Sequence, residues 1–463
     1  MRFLPLLAAL AAFALPSSAL AQVVPDAMNP ATLRDAALHD DIAWDITEGL
    51  TTEVGQRLAA TEAEARAREW AVIKLKALGF QNVRIETFKM PVWVRGEEKA
   101  EIVSPFPQKL VIAALGNSGS TGPKGVEAEI AYFPTLADLE AAPESAVKGK
   151  IVFISHAMTR TQDGSSYGQF GQPRRKGPAV AAQKGAVAVL IRSVGTDYHR
   201  NPHTGGTNWP EGVKPIAAAA LPLPDAEQLE RVLKRGQPVR MKLLITPQFK
   251  GEAESGNVIA EVPGSDPDAG IVLIGGHLDS WDLGTGAIDD AAGLGITTAA
   301  AKRIMDAGKP RRTIRVVWFG AEEPGGYGGE AYAKAHGTER HAIAAESDFG
   351  AGRIWKFDVN LPESAKAITG RLSAALAPLG ISTGRDIAGD GTDVGPMFKL
   401  GVAALDLAQD GTYYFDLHHT PDDTLDKIDI VQLRQNVAAW TAALAILCNA
   451  PEEIGAVTPR PGF

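Results

Sequence analysis

The chain is predicted to fold as a mixed α/β protein, with a largely parallel sheet flanked by helices and a second, β-rich domain inserted into it. Three observations carry that expectation. From Gly270 onward, apolar strand-like runs alternate with helical stretches, a pattern that requires parallel strands covered on both faces. Between about Gly122 and Phe249 the texture changes to short β-like runs separated by polar, Pro- and Gly-rich stretches. Helical patterns stand near both ends, at Glu62 to Leu78 and Ile430 to Leu447.

In chain order, residues 1–21 read as a cleavable secretory signal. Arg2 is followed by the apolar run Phe3 to Leu15 and the small-residue site Ala19-Leu20-Ala21. The run is too short to span a membrane comfortably, and no later segment offers about 18 consecutive apolar residues. The mature chain is therefore expected to be exported, periplasmic or secreted, with no membrane span. Residues 22–121 form the N-terminal part of the main domain. There Ala65, Trp70, Val72, Ile73, Leu75 and Leu78 are expected to form the apolar side of a helix that Gly79 stops, before strand-like segments from Val83 to Trp93. Residues 122–249 form the insertion, with cores such as Ile151 to Ile154 and Val187 to Ile191. Residues 250–463 complete the main domain. Gly270 to Gly276 leads to a helix over Gly293 to Ala307, and Thr313 to Gly320 leads into a Gly-rich turn.

A chain of 463 residues, 45% hydrophobic and 22% charged, has room for two or three domains. The formal charge of -9 becomes -10 once Arg2 leaves with the signal, which disfavours nucleic acid and anionic membranes as partners. Cys448 is the only cysteine, so no internal disulfide is available, and its apolar flank marks it as a buried bystander.

Chemistry concentrates after the predicted strands. In an open α/β sheet ligands bind beyond the carboxyl ends of strands, and His277 and Asp279 follow the strand Ile271 to Ile274 directly. At i and i+2 of an extended chain both side chains lean the same way, so Asp279 is placed to support His277. By itself a His-x-Asp pair equally suits a capped strand end. Asp289-Asp290 lies in a Gly-flanked loop before a helix, where a carboxylate also caps. Val316 to Phe319 delivers Glu322-Glu323 into a turn, where adjacent carboxylates can divide metal binding and proton transfer. Asp348 follows the apolar run Ala342 to Ala345, and His418-His419 lies in the loop Tyr413 to Asp423. Taken together, His277, Asp289, Glu323, Asp348 and His419 make a mixed nitrogen and oxygen set suited to zinc or a similar ion.

These residues carry a resemblance. His277-Leu278-Asp279-Ser280, Asp289-Asp290-Ala291-Ala292-Gly293, Phe319-Gly320-Ala321-Glu322-Glu323, Glu346-Ser347-Asp348 and His419-Thr420-Pro421-Asp422-Asp423-Thr424 resemble, in order, the motifs of the two-zinc exopeptidases that include leucyl aminopeptidases and glutamate carboxypeptidases. The similarity is greatest to the branch containing plasma glutamate carboxypeptidase (carboxypeptidase Q). It extends through Gly55-Gln56-Arg57-Leu58, Trp70, Trp93-Val94-Arg95-Gly96 and His203-Thr204-Gly205. The resemblance also makes the insertion, with Val147 to Ile154 and Lys184 to Ile191, look like a protease-associated domain beside the catalytic cleft. That placement would let His199 and His203 approach the site, although both fall in polar loops and belong to none of the metal motifs.

Carried over by position, the family pattern implies two Zn2+, with Asp289 bridging, Glu323 and His419 on one ion, and His277 and Asp348 on the other. It implies hydrolysis of short peptides or dipeptides by a metal-bridged hydroxide with Glu322 as general base, Asp279 orienting His277, and a cis Asp289-Asp290 peptide. A homodimer is compatible with it. One departure stands out: several relatives place a Tyr before the last metal histidine, to assist the oxyanion, where this chain has His418. His418, Tyr413 and Tyr414 are the candidates for that contact. Asp393 is a candidate to hold a substrate amine, and Arg353 or Arg385 a terminal carboxylate, so aminopeptidase, carboxypeptidase and dipeptidase readings all stand. A non-catalytic binding module and a single-zinc glutaminyl cyclase are the alternatives. The complete ligand set and base argue against the first, and the retained His277 against the second.

Overall fold

A computed structural model describes residues 26–389 and 391–459; the signal-like segment 1–21 lies outside them. The strands are, in chain order, β1 (Gln81–Val94), β2 (Glu98–Ser104), β3 (Gln108–Leu110), β4 (Ala113–Ala114), β5 (Val126–Phe133), β6 (Ile151–Ile154), β7 (Ala188–Arg192), β8 (Ala217–Leu221), β9 (Arg240–Ile245), β10 (Gln248–Val262), β11 (Ile271–His277), β12 (Thr313–Phe319), β13 (His341–Glu346), β14 (Ile354–Asn360), β15 (Ser382–Thr383) and β16 (Ala403–Gln409). They form one sheet of order β1-β10-β12-β11-β13-β16-β14-β15 and a second of order β3-β2-β9-β5-β6-β7-β8-β4.

In the first sheet β12, β11, β13 and β16 are parallel neighbours, while β10 joins β12, and β14 joins β16, antiparallel. The central strands read as continuous apolar runs because both faces are covered. Val272 and Ile274 of β11, with Val316 and Trp318 of β12, pack on Ile296 and Ala300 of the helix Ala292–Ala307 and on Trp440 and Leu444 of the helix Ile430–Asn449. The alternate residues Leu273, Val317 and Phe319 face the other way, onto Tyr332 and Met397. Gly295 lets its helix approach the segment before it: a Cβ there would lie 2.6 Å from the carbonyl oxygen of Ala43.

The helix Glu62–Ala77 forms as expected, with Leu75 buried and Trp70, Val72 and Leu78 packed against the core, but its most deeply buried row also takes in polar residues. Glu64, Ala67, Arg68, Ala71 and Leu75 are inward and Ile73 is exposed. Ala67 and Ala71 allow close approach, and Glu64 brings its charge inside by pairing with Arg68 at 3.2 Å and accepting from Ser255 Oγ at 3.1 Å. An apolar count misses that row, because it includes an ion pair.

The second sheet takes strands from Glu98 to Ile245, and so draws β2, β3 and β4 from before position 122. Its strands β5, β6, β7 and β8 are parallel, with the helix Gly177–Gln183 between β6 and β7 and the helix Leu223–Leu233 following β8 in sequence. Among the described residues no helix is long and apolar enough to cross a membrane.

Parallel alignment decides where the chemistry falls. His277 ends β11, Phe319 ends β12 and Glu346 ends β13, so the turns that follow emerge at one edge of the sheet. β16 runs parallel to β13 and sends the loop with His418-His419 out at that same edge.

Candidate metal centre

Five side chains from four sheet ends and one helix start converge. Asp289 is central and only 4% exposed. Its Oδ1 lies 3.0 Å from His277 Nε2, and its Oδ2 lies 3.2 Å from His419 Nε2. His277 Nε2 is also 3.4 Å from Asp348 Oδ1, and His419 Nε2 is 3.0 Å from Glu323 Oε2. All five residues singled out from the sequence as ligands therefore meet, with the two oxygens of one carboxylate each facing a different histidine. The Asp289-Asp290 peptide is cis.

The backbone around this cluster is held by groups that touch several loops at once. Asp423 Oδ1 accepts from the N–H groups of Ala287 and Ile288, both at 2.7 Å, tying the loop after His419 to the one bearing Asp289. Arg57 is fully buried and donates to the carbonyls of Leu278, Thr285 and Gly286. Asp290 accepts from His277 N–H and from Gly293 N–H, bracing the helix start against β11.

Asp279 sits differently from the expectation that its carboxylate orients His277. The His277 Nδ1–H donates to the backbone carbonyl of Asp279 at 2.8 Å, while the nearest carboxylate oxygen is 3.8 Å away. The Asp279 carboxylate instead accepts the backbone N–H groups of Glu322 and Glu323, at 3.0 and 3.3 Å. A short side chain bent over its own strand end reaches the neighbouring turn more directly than it reaches the imidazole.

The electrostatics are those of a site with too much negative charge. Burial, with Asp289 adding to it against the pull of His419, pushes Glu323 up to about 8. Burial pushes Asp348 up to about 7, and burial together with Asp348 pushes Glu346 up to about 8. Burial would lower both His277 and His419, yet the surrounding carboxylates prevail and hold both well above the ordinary histidine value. Asp289 Oδ2 and Glu323 Oε1 are buried without a hydrogen-bond partner. Uncompensated carboxylates and histidines of this type fit divalent cations. Glu322 is half-buried beside them.

The remaining candidates divide. His418 is buried with its ring stacked on His419, centroids 3.5 Å apart, and its Nε2 is 3.6 Å from Asp289 Oδ2. Burial, then the charge of His419, holds it well below the ordinary value, so the ring is neutral. Tyr414 is buried against His418, whereas Tyr413 is exposed and covered by Arg160. Asp393 is fully buried with neither carboxylate oxygen hydrogen-bonded. Glu346 accepts the backbone N–H groups of Asp393 and Val394 and so fixes that turn. Arg353 and Arg385 are exposed. Cys448 is buried, with its thiol pushed up to about 12 by burial, in line with a bystander.

Sequence reasoning missed Arg174 and raised His203 only as a loop histidine that could approach the site. Arg174 is buried, has no carboxylate partner among the described residues, and brings Nη1 within 3.4 Å of His419 Nδ1. His203 is buried with its Nδ1–H donating to the carbonyl of His418 at 2.7 Å. Both come from the second sheet's loops, and no local pattern points from them to residues more than 200 positions away.

Residues 257–444 match the model of peptidase family M28. Carboxypeptidase Q of Bos taurus is 34% identical over 406 residues, 87% of this chain and 84% of the bovine one. The chain belongs to peptidase family M28. A solved M28 peptidase precursor from Shewanella amazonensis is 47% identical, covers 93% of this chain and 98% of its own, and superposes with a TM-score of 0.90. The zinc aminopeptidase of Bacillus subtilis, at 20% identity, shares the fold with a TM-score of 0.64, covering 89% of this chain and 97% of its own. As an M28 chain the protein is a metallo-exopeptidase, and its mixed α/β architecture is the family's.

Proposed function

We propose that this M28 enzyme is an exported two-zinc exopeptidase that cleaves short peptides, dipeptides among them. The observation that carries the reading is Asp289, whose two oxygens address His277 and His419 separately. In this reading Asp289, Glu323 and His419 would hold one ion, and Asp289, His277 and Asp348 would hold the other. When bound, zinc supplies Lewis acidity toward the peptide carbonyl and acidifies water.

The chain's own groups do the rest. The Glu322 carboxylate, its backbone anchored on Asp279, takes a proton from the attacking water and delivers it to the leaving amine. His418, held neutral, offers a ring N–H to the carbonyl oxygen as negative charge develops there, the part that tyrosine takes in several relatives. Asp393, buried with both oxygens unpaired, is the group that receives the substrate's free α-ammonium. The second sheet is read as a protease-associated domain flanking the cleft, and the signal-like N-terminus supports export; the Shewanella relative is likewise described as a precursor.

Digestion of a defined peptide library tests the assignment. Dipeptides and short peptides with a free terminus should be cut. Cleavage indifferent to blocking of both ends would refute an exopeptidase.

A further inference from the structure

His419 has φ +62°, a left-handed conformation for a residue with a full side chain. Such a backbone costs on the order of 1–3 kcal/mol and persists only where its surroundings over-determine it. Bonds from Thr420 to the Leu417 carbonyl close the turn locally, and the rest of its support comes from loops of the second sheet. Between β7 and β8 the chain runs through Asp197, His203 and Thr204, and these residues grip the His418-His419 pair from behind. The His203 Nδ1–H donates to the carbonyl of His418 at 2.7 Å, and Thr204 N–H donates to the carbonyl of His419 at 3.0 Å. Both carbonyls of the pair are thus held. The same Thr204 presents its own carbonyl 3.3 Å from His419 Nδ1, the ring nitrogen that faces away from Asp289 and Glu323.

The grip is itself braced. His203 Nε2 meets Asp197 Oδ1 at 2.7 Å, with both side chains at most 2% exposed. The ring is closely confined, since a Cβ on Gly195 would lie 2.2 Å from that nitrogen. Thr204 Oγ1 donates to Ala114 O at 2.7 Å and accepts from Arg95 Nη2 at 3.2 Å. Arg95 is clamped in turn by Asp282, in the loop that follows β11.

We propose that Asp197, His203 and Thr204 are positioning residues for the metal ligand His419. The His203 and Thr204 bonds hold the left-handed turn and so keep His419 Nε2 aimed at Glu323 and Asp289. The position formed by Glu323 and His419 is then incomplete without the second sheet, while the position formed by His277 and Asp348, held by β11 and β13, is independent of it. The inference rests on the two-zinc reading.

Zinc retained after dialysis against a graded series of zinc buffers, measured by atomic emission on the whole chain, tests it. Wild type should keep two ions. His203→Ala and Asp197→Ala should keep one tightly and bind the second roughly 10- to 100-fold more weakly, with near-UV circular dichroism unchanged. Asp197→Asn retains an acceptor oxygen for the ring and should restore the second ion, which a general loss of packing would not allow. A wild type that never holds two ions defeats the two-zinc reading itself. Two ions in wild type, bound with equal strength by folded His203→Ala, overturn the clamp. Should His203→Ala not fold, Gly195→Ala, which crowds the ring without removing it, must show the same selective loss, and unchanged affinity there overturns the clamp equally.

Discussion

The carboxylate of Asp279 binds the backbone of Glu322, not the imidazole two residues before it: the Glu322 N–H donates to Asp279 Oδ1 at 3.0 Å, and Glu323 N–H to Oδ2 at 3.3 Å. One buried side chain therefore sets the position of both the proposed base and a proposed ligand.

Asp279→Ala should lower kcat by roughly 10- to 100-fold by releasing that turn. Asp279→Asn, which can accept only one of the two N–H groups, should fall between it and wild type. Steady-state kinetics with zinc content measured in parallel checks this; equal activity in all three proteins would remove the role.

Glu322→Gln should keep its zinc and lose about 100- to 10,000-fold in turnover, the usual contribution of a positioned base. Unchanged turnover in the metal-loaded variant would show that another group moves the proton.

Chelation should abolish activity, and near two equivalents of zinc should restore it. The metal-free protein should also melt earlier, since each ion at about 100 times its Kd adds about 2.7 kcal/mol to stability. A chelated protein with full peptidase activity would end the metal mechanism.

Asp393→Ala should reduce kcat/KM for substrates with a free α-amine by roughly 10- to 100-fold, the worth of one charged hydrogen bond. Amine-blocked peptides that retain a free carboxylate should change little. An equal loss on both kinds would assign Asp393 to the fold.

His341 predicts an acid-sensitive contribution to stability. Burial pushes it down from its ordinary 6.5 to about 4, and its ring is held between the Tyr332 hydroxyl and the Glu339 carbonyl. The unfolded chain thus binds the proton first as pH falls. The contribution is complete above about pH 6.5 and is lost on descending toward about pH 4, a total on the order of 3 kcal/mol. Urea unfolding of chelated protein across that range should show the slope, and His341→Gln should flatten it. Identical slopes would place the acid sensitivity elsewhere.

The main sheet was legible because burial on both faces leaves long apolar runs, and β11, β12 and β13 appear near their expected limits. The five residues of the candidate metal centre could be singled out too, since four follow strand ends and Asp289 stands at a helix start. In the helix Glu62–Ala77 the core-facing Trp70, Val72, Leu75 and Leu78 were legible, whereas the buried Glu64–Arg68 pair was not, because it looks polar in sequence. The N-terminal strands of the second sheet were not separable from the main domain by composition, as β2 pairs with β9 about 140 residues later through backbone bonds that carry no residue signature.

From the sequence alone came the kind of chemistry: which residue types could hold metal, that most of them followed parallel strands, and that a candidate base stood beside a candidate ligand. Only the tertiary structure decided how those groups are oriented. Asp289 faces two histidines with different oxygens, Asp279 serves Glu322 instead of His277, and His203 of the second sheet holds the carbonyl of His418. The reason is physical: spacing along a strand or helix determines where a Cα lies, whereas a side chain's hydrogen-bond partner depends on loops brought in from distant parts of the chain.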